Sequence, residues 1–171
     1  MGLSIIELIA VIFVISLGLT GVLSLVIKNI EVQHINKNIL AASGLAQEGL
    51  EIVRNIRDAN WLIPGNDWAK DVAGASGDST YAIDFRGRNN IIMAANNIDD
   101  EAARLYIISG GATAGLYTHE AADNTATNFY RLITVTVDPT DGYLDVKCHI
   151  RWKDLGRNYN YTAETYLYNW R

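Results

Sequence analysis

One cysteine, Cys148, two prolines and three scattered histidines, His34, His119 and His149, are all that 171 residues contain of these types. A single thiol allows no intrachain disulfide, so the fold does not rest on that staple. Histidines so far apart, with one Cys, make no zinc-like spacing. No Ser-His-Asp set and no glycine-rich phosphate loop can be assembled with any specificity. The chain therefore reads as a non-enzyme with no catalytic residue, no cofactor and no metal. Positive charge is also short: 14 Lys and Arg stand against 19 Asp and Glu, a net charge of −5. That balance gives no drive toward nucleic acid, which needs clustered cations. Arg86, Arg88 and Arg104, or Arg151, Lys153 and Arg157, are the candidate local patches, and both read as solvated faces.

Charge is scarcest at the start. Glu7 is the only charged residue in the first 27 positions. From Leu3 to Ile27 the chain is otherwise apolar or small, and a run of roughly 20 residues spans a bilayer core as helix. A carboxylate in hydrocarbon costs about 2.5–3.5 kcal/mol on insertion scales, so Glu7 calls for a specific partner or role. A cleaved secretory signal is excluded by the length of the run and by the lack of a basic residue before it. A plain signal anchor fits the length but leaves Glu7 without a purpose. A third reading takes Gly2 as the last residue of a leader, followed by a retained helix.

Proline is absent until Pro64, and no strong breaker interrupts the chain before it. After Ile27 the sequence turns amphipathic. Ile35, Ile39, Ala42, Ala46, Gly49, Val53 and Ile56 recur at spacings of three and four, one face of a helix. Glu51 with Arg54, and Arg54 with Asp58, are placed to support the opposite face. The expectation is one helix over residues 3–58, roughly 80 Å long, with its membrane-spanning part at about 3–27. Gly18, Gly21 and Gly44 lie inside it and permit close packing or local unwinding. Residues 1–2 are read as a leader remnant and 59–171, about 110 residues, as a single β-rich head domain.

In the head, residues 60–77 read as a turn-rich loop anchored by Trp61 and Trp68. Short strands are expected at Tyr81–Phe85, Leu105–Ile108 and Gly115–His119, the last two around Gly110-Gly111. Residues 89–100 are weakly defined, with a helix start at Asp99 or Asp100 favoured over a calcium loop at Asn96–Glu101. Ala121–Asn128 reads as a polar loop. Ile133, Val135 and Val137 alternate with threonines. Asp138 to Gly142 is a turn by its chemistry. Leu144, Val146, Cys148, Ile150 and Trp152 then alternate with Asp145, Lys147, His149 and Arg151. After a turn at Lys153–Arg157 comes a third strand, Tyr159–Trp170. Three consecutive strands with short links make an antiparallel meander, and the helix stripe is its natural cover. The fold class is α+β. Adjacent strand residues face opposite ways, so Cys148 and His149 do not form a nucleophile and base pair. Cys148 reads as a buried, inert thiol. The tyrosines of the last strand (159, 161, 166, 168) with Trp170 read as core and edge packing. Asn160-Tyr-Thr162 fits a glycosylation tripeptide but sits in a strand, a poor acceptor site.

The segment Gly2-Leu3-Ser4-Ile5-Ile6-Glu7-Leu8 resembles the processing site of type IV pilin-like proteins. That family has a glycine, a hydrophobic residue that becomes the new N-terminus, and a glutamate at the fifth mature position. The resemblance implies cleavage by a prepilin peptidase after Gly2, N-methylation of Leu3 and an assembly role for Glu7. The stretch Leu45 to Asp58 is similar to the second helix half of bacterial minor pilins and pseudopilins, and the helix-plus-sheet layout matches over the whole chain. Two departures, the missing helix proline and the missing C-terminal cysteine pair, favour a minor pilin or pseudopilin over a major pilin. Gly18 and Gly21 then stand in for the proline's helix-loosening effect. A two-residue leader without basic residues also departs from the pattern. The implied protein is a structural filament subunit of a type IV pilus or type II secretion-like system, lodged in the bacterial inner membrane as a single pass before it enters an extracellular or periplasmic filament. Its implied partners are other pilin subunits, the peptidase and an inner-membrane assembly platform. The competing reading is a membrane-tethered extracytoplasmic binding or sensor domain on a plain anchor.

Overall fold

Helix α1 runs from Ile5 to Trp61 without interruption. It ends three residues beyond the expected Asp58, because nothing in Ala59-Asn60-Trp61 breaks a helix and Pro64 is the first residue that cannot continue one. This computed structural model describes residues 4–73, 77–87, 91–92, 95–138, 140 and 142–169. The chain divides into two compact units, Met1–Leu40 and Ala41–Arg171. The first contributes α1 up to residue 40, with its large apolar side chains from Ile5 to Ile30 exposed.

In the second unit, residues 41–61 of α1 bury Ala42, Leu45, Ala46, Gly49, Leu50, Val53 and Ile56. All of these but Gly49 belong to one apolar cluster with Tyr81, Ile83, Leu105, Ile133, Val135, Val146, Cys148, Ile150 and Leu167. Full burial of each Val, Leu or Ile is worth about 1.5–3 kcal/mol. The expected stripe starts too early: Ile35 is half-buried and Ile39 exposed, and both fall in the first unit. Glu51 and Arg54 pair as expected, but Asp58 pairs with Arg57 at 2.8 Å. Arg57 also lies over the Trp61 ring at 4.4 Å, which fixes its guanidinium beside Asp58.

Among the described residues seven strands form one antiparallel sheet: β1 Ser79–Ile83, β2 Ile91–Ile92, β3 Arg104–Ile107, β4 Tyr117–Thr118, β5 Thr125–Val137, β6 Tyr143–Asp154 and β7 Arg157–Tyr168. β5, β6 and β7 make the C-terminal meander, with Ile133 opposite Cys148 and Cys148 opposite Ala163. The turn into β6 is held by Thr140 N–H donating to Asp138 Oδ1 at 2.7 Å. The β6–β7 link is two residues, Leu155 and Gly156, both at positive φ (46° and 78°), the twist a tight hairpin demands. β5 begins at Thr125, so the expected polar loop at Ala121–Asn128 is half strand. Its residues pair with β3, Thr125 opposite Ile107 and Ala126 opposite Tyr106, and that tertiary partner overrides the polar composition.

The free edge of β5 carries two strands end to end. β1 occupies its C-terminal half, Tyr81 opposite Ile133, and β3 its N-terminal half, Arg104 opposite Tyr130. The chain leaves this edge at Ile83, passes through β2 and a 3-10 turn at Glu101–Ala103, and returns at Arg104. Asp100 sits at the cap of that turn, but its carboxylate accepts from the backbone N–H groups of Asn96 and Asn97 behind it. The expected helix is therefore only one turn. After α1, the buried Asn60 amide donates to Trp68 O and Lys70 O at 3.1 and 2.6 Å and ties down the loop, while Trp61 and Trp68 stack at 6.5 Å.

Candidate functional site

Glu7 lies in the first turn of α1, exposed, and among the described residues it has no hydrogen-bond or ion-pair partner. The next charged residue along the helix is Lys28, which donates to Glu31 at 2.8 Å. Between them lies about 30 Å of uncharged helix, the thickness of a bilayer core. The hydroxyls in this stretch are satisfied internally. Ser16, Thr20 and Ser24 each donate to the carbonyl four residues back, at 2.7, 2.8 and 2.9 Å. They add little desolvation cost, which leaves Glu7, among the described residues, as the one unmet polar side chain of the span. Among the described residues α1 is the one helix long and apolar enough to cross a membrane. A single-pass anchor is consistent with it.

The helix is continuous through Gly18 and Gly21, and an added Cβ at either would meet open space within 4 Å. Gly2 and Leu3, the expected processing pair, lie outside the described residues, as do Arg88 and Trp170.

In the second unit the remaining sequence candidates are occupied by structural work. Cys148 is fully buried, and burial pushes its thiol up to about 12. His149 points to the other face, where Nδ1 meets Thr162 Oγ1 at 3.1 Å. Three members of the proposed basic patches are held by carboxylates. Arg86 holds Asp84 at 2.7 Å and Glu120 at 2.9 Å, Arg104 holds Glu101 at 3.1 Å, and Arg151 pairs with Asp99. Tyr159 stacks on Trp152 at 5.4 Å, and Tyr161 packs on the core and accepts from Ser43. Tyr166 and Tyr168 instead flank Tyr143 and stay half exposed. Among the described residues no group of His, Cys, Asp and Glu is arranged to hold a metal.

Three buried polar residues were not singled out from the sequence. Arg131 is fully buried on the inner face of β5; it donates to Leu45 O at 3.2 Å and Ile83 O at 2.8 Å and faces Glu48 at 3.3 Å. Asp84 is fully buried; Arg86 and Thr118 donate to it and hold its carboxyl below the usual range against the opposing effect of burial. His119 is 6% exposed, and its Nδ1 meets Arg104 O at 2.9 Å. Extending the inner-face period of Ile133, Val135 and Val137 back by two positions reaches Arg131, so that signal was present in the sequence. Asp84 and His119 carry no comparable pattern. The chain matches no protein-family model, no curated protein and no solved structure.

Proposed function

We propose that this chain is a structural subunit, a minor pilin or pseudopilin, of a type IV pilus or type II secretion-like filament. Its N-terminal helix holds it in the bacterial inner membrane before assembly. The observation that carries this reading is Glu7: one exposed, unpartnered carboxylate at the start of an otherwise uncharged span. An anchor gains nothing from such a group. A packed filament does, because cleavage after Gly2 would give Leu3 an α-amino group that pairs with the acid of a neighbouring subunit. Each charge is costly alone, and removing one member of a buried pair typically costs about 3–5 kcal/mol. Glu7 then sets axial register as subunits stack. The antiparallel sheet covered by the later turns of α1 supports the same reading, since it gives the subunit a folded head.

Two experiments test it. Glu7→Ala should insert into membranes as well as wild type, or better, while its incorporation into filaments falls severely. Incorporation at the wild-type level would sink the register role. Intact-mass measurement of the mature protein should give a chain that begins at Leu3 and is heavier by one methyl group. A mature chain that keeps Met1 would favour the plain anchor with a binding or sensor head.

A further inference from the structure

The joint where β1 stops and β3 starts on the edge of β5 is closed by polar groups, not by strand pairing. Ile83 O, the last carbonyl of β1, accepts from Arg131 Nη2 at 2.8 Å. Arg104 O, the first of β3, accepts from His119 at 2.9 Å, so the Nδ1 of that imidazole carries a proton. The end of β4 and the residues after it are tied across the joint by Thr118 Oγ1 donating to Asp84 at 2.7 Å and by Arg86 bridging Asp84 and Glu120. His119 Nε2 is buried without a hydrogen-bond partner.

We infer that this joint is an acid-sensitive latch: protonation of His119 at Nε2 releases the β3–β4 hairpin from the end of β1. A second proton on the ring would face Ile83 O, a neutral carbonyl that already accepts from the Arg131 guanidinium, so two buried cations would share one uncharged acceptor. The titratable and charged groups around the ring come from every element packed there. Arg131 on β5 repels the new charge, and Asp84 beyond β1 attracts it but is committed to Arg86 and Thr118. Glu48 on α1 and Cys148 on β6 lie behind Arg131, and Glu120 is held by Arg86. Burial, followed by Arg131, pushes the His119 imidazole down to about 4. An opened, solvated imidazole titrates near 6.5. The latch is therefore fully closed above about pH 6.5 and weakens as pH falls from there toward 4.

Amide hydrogen exchange on the full chain in detergent micelles, at pH 7, 6 and 5 and corrected for intrinsic rates, tests this. The opening equilibrium of residues 104–119 should rise roughly sevenfold from pH 6 to 5, the slope of one linked proton. Residues 143–168 should not follow. His119→Gln should flatten the response, and His149→Gln, on the outer sheet face, should keep it. An equal response in both regions, a flat wild-type response, or an unchanged response in His119→Gln would each overturn the latch. If His119→Gln fails to fold, imidazole NMR titration of the wild type decides: a ring neutral down to about pH 4 supports the latch, and one titrating near 6.5 overturns it.

Discussion

Gly49 shows how little room the helix has above the sheet. A Cβ there would sit 2.8 Å from Cys148 Sγ, 3.2 Å from Ile133 Cδ1 and 3.3 Å from Arg131 Cδ. Overpacking of this kind costs typically 1–3 kcal/mol, offset in part by up to about 1 kcal/mol of helix propensity gained over glycine. Gly49→Ala should therefore lower the urea midpoint. Cys148→Ala removes the closest atom, so the double variant should show a favourable coupling of at least about 0.5 kcal/mol, readable from the four midpoints. Leu155 presents the opposite case. It holds φ 46° at a hairpin position where Asn before Gly156 is preferred, and its side chain is exposed. A left-handed L-residue costs roughly 1–2 kcal/mol, so Leu155→Asn should stabilise the head by about 1 kcal/mol in the same assay. A loss of stability would show that the turn tolerates leucine for a reason outside its backbone.

At the scale of elements, Asn60 determines how the chain leaves α1. Its amide caps two loop carbonyls and its Oδ1 accepts from Asn66 at 3.0 Å. Asn60→Ala strands those groups at about 1–3 kcal/mol for each one that stays buried. Limited proteolysis should then cut within residues 62–73 at a protease dose that spares the wild type. Period-based patterns in the sequence carried α1, the meander, the inner face of β6 and the burial of Cys148, because each is a local repeat of 3.6 or 2 residues. They failed where a distant partner decides. Thr125 to Asn128 is polar and pairs with β3 all the same, and the buried stripe of α1 begins only at Ala42, after Ile35 and Ile39 of the first unit. The division of the β5 edge between β1 and β3 depends on residues far apart in sequence, and no window of a single strand contains it. Of the candidate site, Glu7 was legible as the single charge in an apolar run. Of the buried polar set, Arg131 falls on the extended inner-face period of β5, but Asp84 and His119 were not legible, since they come from separate segments with no such pattern.

For the whole molecule, the first unit makes a prediction about the membrane. Phe13 lies mid-span and exposed. An arginine there costs about 2.5–3.5 kcal/mol on insertion scales. Phe13→Arg should shift much of the protein into the soluble fraction on alkaline carbonate extraction, whereas Glu7→Ala should stay in the pellet. The order of the elements along the chain has a consequence of its own for biogenesis. Ala42 to Ile56 is synthesised well before Ile133, Val146 and Cys148, the side chains that cover it. β5, β6 and β7 are joined by tight local turns and can pair as soon as they emerge, but β1 and β3 must wait for β5 to exist. Local pairings close faster than distant ones. The last third of the chain is therefore the template on which the earlier segments dock. A ribosome stalled before β5 would hold an uncovered helix stripe and β1 and β3 without the long strand they share, and the head would have no stable fold until β5, β6 and β7 have been made.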